Sequence, residues 1–359
     1  MKILFYIHAL AGGGAERVWA LVASELAQTG NDVMFAVDYR DDANLSLLGP
    51  DVRLLEMGPG HLHSMLALRR IIRRERPDVT ISALGAGNLK HLLAAMLAGR
   101  RDRAILSYHG YIDNEPKRLS QLSFRLTPLL TRLAAHTVVV SEDLRQHVVD
   151  DYGADASRVS VILNPVAVPE ATVSDRDLAA RSPLVLAASR LTPAKNVPFL
   201  VRAFARVRTP EARLAILGEG EDRPAIESEI ARLGLNGRVS LHGYQRQPWP
   251  FYNNAKVFVV GSRIEAFGLT IVEALGCGLP VVSTDCGGPR EILDQPALGR
   301  LVDQGDEVGF ATAIDELLAT PGPVAPRLER AAVFSVESRA EAYLALMRTV
   351  AKAARSRAG

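Results

Sequence analysis

Cysteine is nearly absent: Cys277 and Cys286 are the only two among 359 residues. Two thiols cannot build a disulfide framework and are too few for a four-thiolate metal site, so a reducing compartment is expected. An excess of one charge is missing as well. The 42 Lys and Arg residues against 40 Asp and Glu leave +2, so no whole-chain field points to nucleic acid. No apolar run reaches the ~18–20 residues that span a bilayer, because Lys90 and His91 interrupt the best candidate, 83–98. The apolar start, Ile3 to Ala11, runs into Gly12-Gly13-Gly14 and the charged pair Glu16-Arg17 without a small-residue cleavage pattern. It reads as a buried first strand rather than a signal peptide. Repeats of 20–50 residues and low-complexity tracts are missing too.

What is present is ordinary in bulk, 48% apolar and 23% charged, and the length suits two domains. Short apolar runs alternate with helix-like stretches throughout, which predicts parallel sheets with crossover helices. The strand candidates are 3–7, 33–37, 79–82, 104–108, 137–140 and 159–162, then 184–188, 214–217, 239–242, 257–260, 280–283 and 298–302. Pro165, Pro169 and Pro183 and a polar composition break the alternation over 164–182. The expected organisation is an acceptor-binding Rossmann-like domain at 1–165, a linker at 166–182, and a nucleotide-sugar-binding Rossmann-like domain at 183–335. A last helix within 336–359 crosses back to the first domain. Two doubly wound sheets in tandem would place ligands at the carboxyl edges of their strands, in a cleft between the domains.

Three segments carry chemistry. Gly12-Gly13-Gly14 turns a strand into a helix and would let backbone N–H groups approach an anion. On its own it fits a plain tight turn equally well, and G-x-G-x-x-G fails because Glu16 and Arg17 follow. Ser189 to Asn196 follows a strand and places Arg190 and Lys195 where they could clamp a diphosphate, or form a solvated loop. The most specific segment runs from Ser262 to Ala274. Eight positions on one helix would not align Glu265 with Glu273, so Glu265 belongs on a loop and Glu273 inside a helix beginning near Gly268. Backbone amides of Gly268 and Leu269 would hold phosphate, with a carboxylate for hydroxyls on either side, a pattern that fits a nucleotide sugar. The only Asp-x-Asp pair, Asp175-Arg176-Asp177, lies away from any strand end and offers no metal site.

Several pieces together carry a resemblance over nearly the whole chain. They are GGGAER at 12–17, Tyr108-His109-Gly110, SRLTPAKN at 189–196, Gly218-Glu219-Gly220, SRIEAFGLTIVEALGCGLPVV from 262, and Cys286-Gly287-Gly288-Pro289-Arg290-Glu291-Ile292-Leu293. The chain resembles glycosyltransferases of family 4, with the two-domain GT-B architecture, and within them the subset that assembles bacterial surface and lipid-linked glycans. The resemblance implies a retaining, metal-independent enzyme with no cofactor, moving a hexose or N-acetylhexosamine from a nucleotide sugar, in first place a UDP-sugar, to a polyprenyl-diphosphate-linked acceptor. Arg190 and Lys195 would neutralise the donor diphosphate, helped by amides of Gly13, Gly14, Gly268 and Leu269. Glu273 would hold the ribose, Glu265 the donor hexose, with Phe267 in the donor site, and His109 would stabilise charge beside the reacting sugar. The family usually has glycine where this chain has Ala266, a difference that matters if the backbone there is left-handed.

Between His61 and Ala135, 13 Lys and Arg stand against 5 Asp and Glu. Arg69, Arg70, Arg73 and Arg74 crowd one helical stretch, while Arg118, Arg125 and Arg132 recur every seven residues beside Leu119, Leu122, Leu126, Leu129 and Leu133. Basic and apolar faces of this kind suit an anionic membrane surface, or a core-facing helix with snorkelling arginines. Peripheral docking on the cytoplasmic leaflet is the expectation. Competing readings are a same-fold epimerase, a non-catalytic nucleotide-sugar-binding protein, and a dinucleotide-dependent oxidoreductase, which the missing glycine fingerprint disfavours.

Overall fold

The computed structural model describes residues 1–41, 43–111, 118–169 and 173–357. It divides into two compact units, Met1–Ala167 with Ser335–Gly359, and Val168–Phe334. In the first, β1 (Lys2–Ile7), β2 (Asp32–Val37), β3 (Arg53–Glu56), β4 (Val79–Ala83), β5 (Ala104–Tyr108), β6 (His136–Val139) and β7 (Val159–Val161) form one parallel sheet in the order β3-β2-β1-β4-β5-β6-β7. In the second, β8 (Leu184–Ala188), β9 (Arg213–Leu217), β10 (Val239–Leu241), β11 (Val257–Val260), β12 (Val281–Thr284) and β13 (Gly299–Val302) form another, ordered β10-β9-β8-β11-β12-β13. Central strands such as β4 and β5 are buried at every residue. This explains why they read as continuous apolar runs rather than alternating ones.

The two orders are equivalent. In each, the strand direction of travel reverses beside the unit's first strand, between β1 and β4 and between β8 and β11. Loops leaving those strand ends diverge to opposite faces, which opens a crevice at the carboxyl edge. The expectation of two Rossmann-like parallel-sheet units of the GT-B type is met.

Helix Gly14–Gln28 buries Val18, Trp19, Val22 and Leu26. The long helix Val336–Ser356 starts where Ser335 Oγ accepts the Ser338 amide at 3.2 Å, and buries Tyr343, Met347 and Val350. It packs on helix Gly14–Gln28 within the first unit, with the rings of Trp19 and Tyr343 edge to face at 5.2 Å.

Three local readings change. Residues 173–182 do not form a free linker. Ser174 and Asp177 make a reciprocal capping box that starts helix Asp175–Ala180, Leu178 is fully buried, and Asp175 accepts the Val324 amide at 2.7 Å, which ties the segment to the second unit. The stretch carrying Arg118, Arg125 and Arg132 is two helices, Arg118–Arg125 and Thr127–Leu133, so the seven-residue spacing does not run along one face. Proline at position 128 fits only the first turn of a new helix. Ala266 stays out of the left-handed region and strains nothing.

Candidate functional site

In the second unit the crevice between β8 and β11 is bounded by the two segments singled out from sequence. The loop after β8 carries Arg190 and Lys195, and the loop after β11 carries Glu265. The Arg263 amide donates to the Ala194 carbonyl at 2.8 Å, so the two loops are tied directly. The turn at Gly218–Gly220 braces the first loop from below, through Leu191 N–H to the Glu219 carbonyl at 2.9 Å and Asp222 N–H to the Leu191 carbonyl at 3.0 Å.

Lys195 Nζ donates to Glu265 Oε2, and both side chains are less than one-fifth exposed. Arg190 is exposed and makes no ion pair among the described residues. Helix Leu269–Gly276 begins after Gly268, whose φ of 105° is the left-handed conformation glycine adopts without penalty. Its first turn follows the Glu265 loop directly in the chain. Glu273 lies inside this helix, 3% exposed, and accepts a hydrogen bond from Tyr252 Oη at 2.9 Å. The Phe267 side chain is 2% exposed and packs edge-on against Phe334 at 5.5 Å, which leaves only its backbone for a ligand.

Glu265 is held from behind by the glycines that follow β12. Glu265 N–H donates to the Cys286 carbonyl at 3.2 Å, and Gly288 N–H donates to the Glu265 carbonyl at 2.9 Å. From sequence alone, Cys286 to Leu293 carries only a resemblance. The structure gives it a task, and the paired glycines were the available signal. Cys286 and Cys277 are buried and their thiols are pushed up to about 12, by burial first, so neither is a nucleophile at neutral pH. Tyr252, which fixes Glu273, carried no sequence signal.

In the first unit, Gly13, Gly14 and His109 lie at the carboxyl edge of the sheet, at the start of helix Gly14–Gln28 and at the end of β5. The Glu16 side chain folds back over Gly13 and Asn44 Nδ2 donates to the Ala11 carbonyl, so the glycine turn is already braced. His109 Nε2 lies 2.8 Å from Ser107 Oγ, and its ring meets Trp19 edge to face at 5.4 Å. Burial pushes the imidazole down to about 4, opposed by the Asn164 amide, so it is neutral at physiological pH. Its buried Nδ1 makes no hydrogen bond to a described residue. Among the described residues, no three His, Cys, Asp or Glu side chains are grouped to hold a metal ion.

The sequence profile described as Glycosyltransferase Family 4 matches residues 12–168, and that of Glycosyl transferases group 1 matches 172–333. The lipopolysaccharide core biosynthesis glycosyltransferase LpsE of Rhizobium meliloti is 34% identical over 197 residues, 53% of this chain and 57% of that protein. A Campylobacter jejuni N-acetylgalactosaminyltransferase acting on a diphospho-undecaprenol-linked saccharide is 30% identical over 168 residues, 46% of this chain and 44% of its own length. The chain thus spans about half the length of these curated relatives. Anabaena HepE, solved with UDP-glucose, superposes with a TM-score of 0.81 at 22% identity, over 99% of this chain and 100% of that one. The galactosyltransferase WaaB superposes at 0.77 and 21% identity, over 99% and 100%. Between residues 12 and 333, then, the chain matches Glycosyltransferase Family 4 and the group 1 glycosyl transferases in turn, and it is a GT-B-fold protein related to both families.

Proposed function

We propose that the protein is a retaining transferase that moves a hexosyl or N-acetylhexosaminyl group from a UDP-sugar to a lipid-linked glycan. The observation that carries this reading is the Lys195–Glu265 pair beside Arg190 at the crevice of the second sheet. Leaving of a nucleoside diphosphate puts negative charge on phosphate and positive charge on the sugar ring. Arg190, Lys195 and the amides of Gly268 and Leu269 meet the former, while Glu265, released from Lys195, accepts from hexose hydroxyls. Glu273, fixed by Tyr252, accepts from ribose hydroxyls. The bond from the anomeric carbon to phosphate oxygen breaks with its electron pair going to the diphosphate. The acceptor hydroxyl forms the new bond on the same face, and its proton ends on the departing phosphate. Fixed cations supply the charge that a metal would otherwise supply, so transfer continues in EDTA.

The first unit also bears a surface suited to an anionic leaflet. Helices His61–Glu75, Gly85–Leu97, Arg118–Arg125 and Thr127–Leu133 lie side by side and leave Leu62, Leu93, Leu97, Leu122 and Leu129 exposed. Arg70, Arg73, Arg74, Arg125 and Arg132 are exposed among them, and Arg69 is half-buried with its Nε on the Leu97 carbonyl. The side chain of Arg118 lies outside the described residues. Exposed leucines among exposed arginines on neighbouring helices favour peripheral docking beside lipid-linked substrate. The helices described include none long and apolar enough to cross a membrane.

A panel of nucleotide sugars is screened by thermal shift and the hits are offered to polyprenyl-diphosphate glycans, with products read by mass spectrometry and anomeric NMR. Stabilisation by UDP-sugars and an axially retained linkage are expected. Stabilisation by NAD alone, or UDP-sugar binding with no product on any acceptor, removes the reading. Flotation on anionic against neutral liposomes tests docking, and equal absence from both removes it.

A further inference from the structure

A second constellation occupies the crevice of the first sheet. His8 follows β1, Asp38 follows β2, and Lys90 projects from helix Gly85–Leu97, which follows β4. Asp38 is 1% exposed and accepts from His8 Nδ1 at 2.6 Å, from Tyr6 Oη at 2.9 Å and from Lys90 Nζ. Lys90 is itself 4% exposed, 3.3 Å from Ser64 Oγ and 5.4 Å from the centroid of the Tyr6 ring. Burial alone would favour a neutral carboxyl, but the bonds from His8, Lys90 and Tyr6 prevail and hold Asp38 below the usual range. The buried charges cancel, and the phenol of Tyr6 is pushed up and stays protonated.

A carboxylate can only accept, so Nδ1 of His8 must carry hydrogen and the neutral ring must leave its lone pair on Nε2. The His8 side chain is 36% exposed, and its Nε2 makes no hydrogen bond to a described residue. The groups around it are Asp38, Tyr39 edge-on at 5.0 Å and His61 at 6.2 Å in a nearly parallel plane. Tyr39 is 42% exposed and His61 is exposed. A hydrogen-bond acceptor of fixed tautomer between two exposed rings suits a neutral polyhydroxylated ring. A buried ion pair contributes little net stability compared with apolar residues of its size, so stability alone does not account for Asp38 and Lys90.

We propose that His8, oriented by Asp38, is an acceptor-side residue whose Nε2 accepts a hydrogen bond from a hydroxyl of the acceptor sugar, with Tyr39 and His61 flanking the ring. The assignment rests on the transferase reading. Asp38, Lys90, Tyr6, Ser64, Tyr39 and His61 are the polar groups facing the dyad.

The test measures wild type, His8→Ala and His8→Gln with a UDP-sugar and a panel of octyl glycosides and polyprenyl-diphosphate monosaccharides. Expected for His8→Ala is an acceptor kcat/KM about 10–100-fold lower, the range for an unmade hydrogen bond, with UDP affinity and acceptor-free donor hydrolysis within twofold. His8→Gln, whose amide oxygen accepts a hydrogen bond as Nε2 does, recovers part of the rate. Both variants keeping wild-type acceptor constants overturns the inference while leaving the transferase reading intact. Loss of UDP affinity in His8→Ala also overturns it. Absence of transfer by the wild-type protein to every acceptor overturns both.

Discussion

Replacing Gly288 with alanine displaces Glu265 without altering it. Gly288 has φ −46° and ψ −36°, a conformation alanine adopts freely, so no backbone strain enters. An added Cβ would lie 2.6 Å from the carbonyl carbon and oxygen of Ala266 and from Cα of Phe267, whereas ordinary contact begins at 3.4 Å. All three are backbone atoms of the strap that carries Glu265, and they must yield by roughly 0.8 Å, an overpacking cost of about 1–3 kcal/mol. A shift near 1 Å at a positioning group costs up to ~100-fold in rate. The expected result is a kcat about 10–100-fold lower, with UDP affinity by calorimetry within twofold because Glu265 is assigned to the hexose. Melting of the second unit falls by a few degrees, at ~2–4 °C per kcal/mol for a unit of this size. Wild-type kcat with an unchanged melting temperature would refute the argument that the glycines after β12 fix Glu265.

Lys195→Ala should weaken UDP binding about 10–100-fold, the range for a lost charge-assisted hydrogen bond, whereas Glu265→Ala should depress transfer and leave UDP affinity equal or tighter, because Lys195 is then unpaired. Wild-type transfer rates in both variants would count against the site. Stability should decline from pH 7 toward 5. Burial sets His91 at about 3 and His109 at about 4, below their unfolded value, so the unfolded chain binds more protons in that window and each group contributes up to ~1.4 kcal/mol per pH unit. Urea melts at several pH values check this, and a flat profile contradicts it. Arg327→Met should destabilise the second unit by about 3–5 kcal/mol, at ~1–3 kcal/mol for each buried acceptor left unsatisfied, because the buried guanidinium bonds the carbonyls of Gly278 at 2.9 Å and Ala297 at 3.1 Å and also that of Pro321. A denaturant midpoint equal to wild type would show those carbonyls find water instead.

The strands were legible where both faces are buried. The runs at 104–108, 184–188 and 257–260 coincide with β5, β8 and β11, because a parallel strand under two layers of helix admits only apolar residues. The edge strand β3 escaped, since it is four residues long and exposes Arg53 and Glu56. Helix Asp175–Ala180 escaped although its Ser174 to Asp177 capping signal was visible, because six residues show no period. Glu265 and Glu273 were legible as loop and helix residues from their spacing. The burial of Phe267 was not, because its partner Phe334 is remote in the chain, and the His8–Asp38–Lys90 constellation was hidden for the same reason: crossover connections separate its members.

Because Tyr343 packs edge-on against Trp19, the first unit is assembled from two pieces of chain with the whole second unit inserted between them. On the ribosome, residues 1–167 emerge long before the strip that covers them. The apolar side of helix Gly14–Gln28 must therefore wait, wet or shielded by a chaperone, until translation of the second unit has finished. The usual vectorial order, in which the earlier domain settles first, is inverted here, and a segment synthesised after the second unit closes the first.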